Sequence, residues 1–277
     1  MLMAPTNTHT GSQSHAVASI PEPAATDPRD SDFQFRPIGY IRSPFDDKFG
    51  IPRQARLAPA AQARLELLPP YDRDEACSGL EGFSHLWLLF VFHQDCLTAG
   101  WQPMVRPPRL GGRAKVGVFA SRAPYRPNPI GLSAVEYHGR VRERSGLVLH
   151  LGGVDLLDGT PVLDIKPYVP YADAVPEASQ GFAQAPQEAR WPVRFSPQAQ
   201  RELSQADPEN RLQLQALIEQ IIGLDPRPGY MDRYPERNVF AMRLHGCDIQ
   251  WKIATGHALV TRIIAGTQQR PSGYTRV

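Results

Sequence analysis

From Phe33 onward, short apolar stretches alternate with glycine and proline punctuation. They fall at residues 37–41, 63–67, 86–92, 115–120, 132–142, 147–154 and 162–167. Each is strand-length, rich in Val, Ile, Leu and Phe, and bounded by turn signals. Residues 132–141 roughly alternate, which predicts a strand with one buried face. Trp87 to Phe92 are apolar without interruption, as in a strand buried on both faces. The one helix-like piece in this part is around 75–80. The pattern predicts a β-barrel-like domain over 33–175.

Residues 176–190, rich in Glu, Ala, Gln and Pro, read as a linker. After them the period changes. Ser196 is placed to cap a helix running to about Gln205, with Pro197 at its first position. Apolar residues at 212, 214, 217, 218, 221 and 222 then make a helical stripe that Gly223 is expected to end. Segments 239–244, 248–254 and 257–264 follow as an antiparallel meander, with turns at Leu-His-Gly-Cys-Asp and Thr-Gly-His. The expected fold is therefore mainly β: an N-terminal barrel-like domain, then a small α+β domain over 191–277. Residues 1–32 carry almost no large apolar side chains and are expected to be a disordered tail.

Composition narrows the class. Hydrophobic residues make up 42% and charged residues 21% of the chain, which is ordinary for a soluble globular protein. Cys77, Cys96 and Cys247 are odd in number and widely spaced, so neither a disulfide framework nor a Cys-x-x-Cys site is expected, and the chain suits a reducing cytoplasm. The longest apolar run, Leu86 to Phe92, is far too short to span a membrane. No basic start with an apolar core marks a secretory signal.

The net charge of +2 is uninformative, but its distribution is not. Between Cys96 and Val135 stand six Lys/Arg and no Asp or Glu. Within that stretch, Arg-Ala-Pro-Tyr-Arg-Pro-Asn-Pro-Ile-Gly at 122–131 cannot be helical, because its prolines fix extended and turn geometry. Arg122, Arg126 and Asn128 project from this stiff loop, which suits a carboxylate or phosphate ligand. A proline-rich surface loop with solvated arginines is the plain alternative.

Several familiar signatures are missing. The chain has no Gly-x-Gly-x-x-Gly fingerprint, no phosphate loop, no Gly-x-Ser-x-Gly elbow and no His-Glu-x-x-His zinc site. His85 and His93 are not at metal-ligand spacing, so no metal is expected. No residue stands out as a general base.

Pro37-Ile38-Gly39-Tyr40-Ile41-Arg42-Ser43-Pro44, Lys48 to Gln54, Gly82 to Trp87, His93-Gln94, Arg106-Pro107-Pro108-Arg109, the 122–131 loop and Asp155-Leu-Leu-Asp-Gly-Thr-Pro161 occur in that order. In order and spacing the set resembles the TrmO (TsaA-like) family, densely over 33–175. The resemblance implies an S-adenosylmethionine-dependent tRNA methyltransferase acting on the exocyclic nitrogen of threonylcarbamoyl-adenosine at position 37, beside the anticodon. It implies a single β-barrel and a cytoplasmic homodimer with its interface near the active site. It assigns Pro52, Arg53, Gln54, His93, Gln94, Arg122, Leu132, Asp158, Gly159, Thr160 and Pro161 to the cofactor. Arg122 would clamp the methionine carboxylate or the substrate's threonyl carboxylate, unless it is salt-bridged to an acid elsewhere. Asp158 or Asp155 would meet the ribose or the sulfonium charge, although Asp158-Gly159 also reads as an ordinary turn. Tyr125, Arg126 and Asn128 are candidates for the target base, by stacking and amide bonds.

The alternative from another class is a non-catalytic RNA-binding β-barrel, whose arginines grip phosphates without a cofactor. An acyl or carbamoyl transferase lacks a Ser/Cys–His signature. Arg227, Arg233, Arg237, Arg243, Lys252 and Arg262 make the second half of the C-terminal unit basic. If that unit docks RNA, truncation near Glu188 is expected to spare cofactor binding; if it is a structural cap, truncation is expected to melt the protein.

Overall fold

Alternation is what builds the first sheet. In β1 (Gly39–Arg42) and β2 (Ala63–Leu67) every second residue is buried, and in β3 (His85–Val91) Leu86, Leu88 and Phe90 are. With β6 (Ile130–Glu143), β7 (Gly146–Gly152) and β8 (Pro161–Pro167) these strands form a closed ring in the order β1-β2-β7-β6-β3-β8. The inward set, including Ile41, Leu65, Leu86, Leu88, Leu149 and Leu151, is essentially inaccessible to water. The mainly β class expected from the sequence is what the chain adopts. The computed structural model describes residues 33–94, 100–110, 114–183 and 188–266. The tail expected over 1–32 and part of the expected linker lie outside the described residues.

Two strand expectations need correction. β3 is buried on one face and half-buried on the other, because its outer residues face a neighbouring aromatic rather than a second layer: Trp87 packs on Tyr168 with ring centroids 5.5 Å apart. Segment 115–120 is a two-residue strand, β5 (Val116–Gly117), followed by a 3-10 turn (Val118–Ala120). Its partner, β4 (Met104–Val105), lies between Pro103 and Pro107, and prolines offer no N–H to extend the ladder. The helix-like piece is a pair of 3-10 turns, Asp74–Cys77 and Leu80–Gly82. A short helix, α1 (Pro170–Asp173), follows the ring.

The C-terminal elements are β9 (Val193–Phe195), α2 (Pro197–Ala206), α3 (Leu214–Gly223), β10 (Val239–Leu244), β11 (Cys247–Ala254) and β12 (His257–Ala265). Ser196 Oγ accepts from Ala199 N at 3.1 Å, the expected cap on α2. Gly223 is the last residue of α3, as expected, but not in left-handed geometry: Leu224 caps the helix and Asp225 takes the positive φ of 53°. Leu214, Leu217, Ile218, Ile221 and Ile222 bury the predicted stripe. The sheet order is β10-β11-β12-β9, with β9 parallel to β12.

The described residues from 36 onward form one compact unit, and the ring and second sheet share one hydrophobic cluster. The seam is the β1–β2 loop. Phe45, fully buried, bridges to Leu244, and His245 N donates to Pro44 O at 2.9 Å. Gly246 N donates to Asp46 Oδ2 at 2.8 Å, and Ala60 N to Gln220 Oε1 of α3 at 2.9 Å.

Candidate functional site

Register brings the motifs together. Arg42 pairs with Arg64, Ala63 with Leu151, Val91 with Ile130, and Phe90 with Val162. The ends of β1, β3 and β7 and the starts of β2, β6 and β8 therefore share one rim of the ring. Pro52-Arg53-Gln54, His93-Gln94, Ile130 to Leu132 and Asp155 to Pro161 all lie on the segments that leave or enter this rim.

Arg122 is exposed, and its Nη1 donates to Gln54 Oε1 at 2.5 Å. That contact is with an amide, not with the distant carboxylate offered as the alternative. Gln54 Nε2 donates to Arg53 O at 2.6 Å, so its amide is oriented with its oxygen toward the arginine. Pro52 is buried and Arg53 exposed. Leu132, 52% exposed, is an apolar surface at the start of β6.

The Asp-Gly turn is tied to β1. Asp158 Oδ1 accepts from Ser43 N at 3.0 Å, and Oδ2 lies 3.8 Å from Arg42 Nη1. Gly159, at φ 76°, donates its N–H to Ile41 O at 2.8 Å; the left-handed conformation is why glycine stands there. Thr160 Oγ1 donates to Leu157 O at 2.6 Å and lies 3.5 Å from His93 Nδ1. Burial, with Lys48 nearby, pushes the His93 imidazole below its usual range against the pull of Asp158. Burial thus favours the neutral form of His93, beside a turn of fixed geometry. Gln94 is exposed with φ 60°.

Asp155 is different from Asp158. Its Oδ1 is sealed from solvent and has no hydrogen-bond partner. Burial pushes its carboxyl above the usual range, and neighbouring Ser133, the Ala55 backbone and the Arg122 charge pull the other way. Ser133, 5% exposed, was not among the residues singled out from the sequence. Its signal was legible: a hydroxyl at an inward position of an otherwise apolar alternating strand.

The three base candidates separate. Arg126 Nη1 donates to Val118 O at 3.1 Å and Ser121 O at 2.8 Å, and its guanidinium lies over Phe119. In this structure Arg126 holds its own loop together. Tyr125 O accepts from Gln102 N at 3.1 Å, and Asn128 is exposed. Among the described residues no group of three or more His, Cys, Asp or Glu is arranged to hold a metal.

The chain matches the family models tRNA-methyltransferase O N-terminal domain over residues 40–174 and TrmO C-terminal domain over 188–266. It is 45% identical over 223 residues to a tRNA (adenine(37)-N6)-methyltransferase of Escherichia coli strain K12, covering 80% of this chain and 94% of that one. It is 53% identical over 215 residues to RcsF of Pseudomonas aeruginosa, named as a putative S-adenosylmethionine-dependent methyltransferase, covering 78% and 90%. Among solved structures, TrmO from Pseudomonas aeruginosa superposes with a TM-score of 0.70 at 44% identity, covering 85% of this chain and 99% of that one.

Proposed function

The chain belongs to the TrmO family, and on that premise we propose that it is an S-adenosylmethionine-dependent methyltransferase that modifies the exocyclic nitrogen of threonylcarbamoyl-adenosine at position 37 of tRNA. One observation carries the reading: Gln54, Arg122, Asp155 and the 158–160 turn converge on one rim of a closed strand ring. The closed ring is the catalytic β-barrel of 33–175, joined by a linker at 176–190 to the unit at 191–277.

The donor set fits S-adenosylmethionine. Arg122 supplies a planar cation for a carboxylate. Asp155, whose buried Oδ1 has no partner and whose carboxyl burial pushes toward the neutral form, would be held as an anion by the ammonium or sulfonium it meets. Pro52 and Leu132 offer apolar cover for an adenine, with His93, Gln94 and the Asp158-Gly159-Thr160-Pro161 turn closing the site. When bound, the cofactor brings an activated methyl group, so the protein needs to orient and desolvate rather than form covalent bonds. Gln54 holds the Arg122 fork, and Ser43 and Arg42 hold Asp158, so both sides of the site are positioned before a ligand arrives. Tyr125 and Asn128 stand on the adjoining loop, toward the base of the anticodon loop.

The same reading includes a cytoplasmic homodimer. Leu132 and Ala134 lie on one face of β6, and a cavity of about 350 Å³ lined by Arg56, Ser84, His85, Ala134 and Tyr168 continues that face; a second copy is proposed to cover it. The buried free thiols of Cys77 and Cys247 suit a reducing compartment. No helix among the described residues is long and apolar enough to cross a membrane.

Calorimetry with S-adenosylmethionine alone, followed by mass spectrometry of tRNA carrying or lacking the threonylcarbamoyl group, tests the proposal. Cofactor binding without RNA and a methyl mass gain confined to the modified tRNA are expected. RNA binding with no cofactor binding would instead establish the non-catalytic alternative.

A further inference from the structure

The C-terminal unit holds a cleft of about 570 Å³ that methyl transfer leaves unused; Arg190, Trp191, Arg227, Asp232, Arg237 and Lys252 are among its lining residues. Its floor is charge-balanced. Arg227, 7% exposed, donates Nε and Nη2 to the two oxygens of Asp225 at 2.6 and 2.7 Å, and Nη2 to Asp232 Oδ1 at 3.2 Å. Arg190 Nη1 lies 2.9 Å from Asp225 Oδ2 and 3.0 Å from Asp232 Oδ2. Two guanidiniums against two carboxylates leave no excess charge, but they hold Arg190 over the Trp191 ring at 5.0 Å from its centroid.

The excess comes from the walls. Arg237 and Lys252 face no carboxylate within ion-pair distance among the described residues, so the cleft carries a surplus of two positive charges over its balanced floor. Arg237 lies over the Tyr234 ring at 5.1 Å, and Tyr234 is itself 42% exposed. Of the six basic residues that stand out in the sequence of this unit, Arg262 is taken up by Glu202 at 2.8 Å and Arg227 by Asp225.

We propose that this cleft binds the phosphodiester backbone of RNA, with Arg237 and Lys252 on the phosphates and the exposed Tyr234 ring beside Arg237 meeting an unstacked base, while Trp191, covered by Arg190 and Arg227, holds the floor. Surplus cations beside an aromatic face are what single-stranded or looped RNA uses; an acidic peptide would match the charge but leave the ring idle. The inference rests on the tRNA reading above and assigns this cleft to a part of the tRNA away from the modified base.

The test compares the full-length protein with its Arg237→Ala/Lys252→Ala variant, using labelled whole tRNA, the isolated anticodon stem-loop and poly-glutamate as probes. Binding is followed from about 50 to 200 mM salt. Whole-tRNA affinity is expected to fall roughly tenfold in the variant at low salt. The slope of log affinity against log salt should flatten by about 1.4–1.8, or 0.7–0.9 for each phosphate that is no longer neutralised. Stem-loop binding and S-adenosylmethionine binding should be unchanged. Equal salt slopes for the two proteins on whole tRNA overturn the cleft assignment while leaving the methyltransferase reading intact. Equal weakening of whole tRNA and stem-loop overturns it too, as does loss of poly-glutamate binding with tRNA binding unaltered. If the wild-type protein binds no tRNA at all, both readings fall together.

Discussion

Two side chains at the rim make opposite demands on the fold. Arg122 is exposed and held by an amide, so its removal should leave the core alone. Arg122→Ala is expected to weaken S-adenosylmethionine or substrate binding by about 1.5–3 kcal/mol, roughly ten- to a hundred-fold, with an unchanged circular dichroism spectrum; calorimetry measures it. Asp155 costs stability instead. Its folded carboxyl is raised by burial, so its contribution favours the folded state below the unfolded pKa of about 3.9 and is lost as pH rises through the folded value. Urea unfolding at several pH values should show Asp155→Asn gaining on the wild type as pH rises, while cofactor binding falls. No such gain would mean that the carboxyl is satisfied within the fold and needs no ligand. The motif spelling pointed to Gln54, Arg122 and the Asp-Gly turn, because such residues on Pro- and Gly-fixed loops are chemically conspicuous. It did not separate Asp155 from Asp158, since which carboxylate a neighbouring strand satisfies depends on contacts more than a hundred positions apart.

At the scale of elements, period and punctuation located the ring strands, the two long helices and the C-terminal meander. What they missed are features with no periodic signal: the two-residue strand β4, the shortness of β5 within 115–120, and the left-handed position that falls at Asp225 just past the end of α3. β3 reads as doubly buried because its outer face meets Tyr168, a residue no local window contains. Packing within the ring gives a sharp test. A methyl placed on Gly131 would fall on the Phe90 ring, so Gly131→Ala is expected to destabilise the protein by about 1–3 kcal/mol and to move Leu132 with it. Denaturant titration reads the first effect and cofactor affinity the second. At the seam with the second sheet, burial pushes His245 below the usual imidazole range, against Asp46 and Asp207. A depressed histidine contributes stability above its unfolded pKa of about 6.5 that is lost as pH falls through the folded value. Since His245 adopts φ 51°, Asn is a compatible replacement. His245→Asn should lessen the acid sensitivity of the melting temperature below about pH 6.5.

For the whole molecule, the seam argues that truncation near Glu188 disturbs the cofactor site, because the C-terminal unit braces the β1–β2 loop whether or not it also docks RNA. Removing the C-terminal unit would uncover Phe45 and strip the partners of Pro44, Asp46 and Ala60, all on the loop that carries Pro52, Arg53 and Gln54. The truncated chain is expected to aggregate or to lose S-adenosylmethionine binding, as measured by light scattering and calorimetry. A soluble fragment with full affinity would show that the loop is self-sufficient.

A loop shared by two sheets also makes them partners in one equilibrium. Ligand that holds the β1–β2 loop from the rim side opposes the opening of α3 and β10 on the other, although it touches neither. At a cofactor concentration about a hundredfold above its dissociation constant, the shared transition should gain about 2.7 kcal/mol. Calorimetric melting should then show a single peak that moves as one when S-adenosylmethionine is added. Amides of Leu217 to Ile222, far from any proposed cofactor contact, should exchange with deuterium more slowly in step with it.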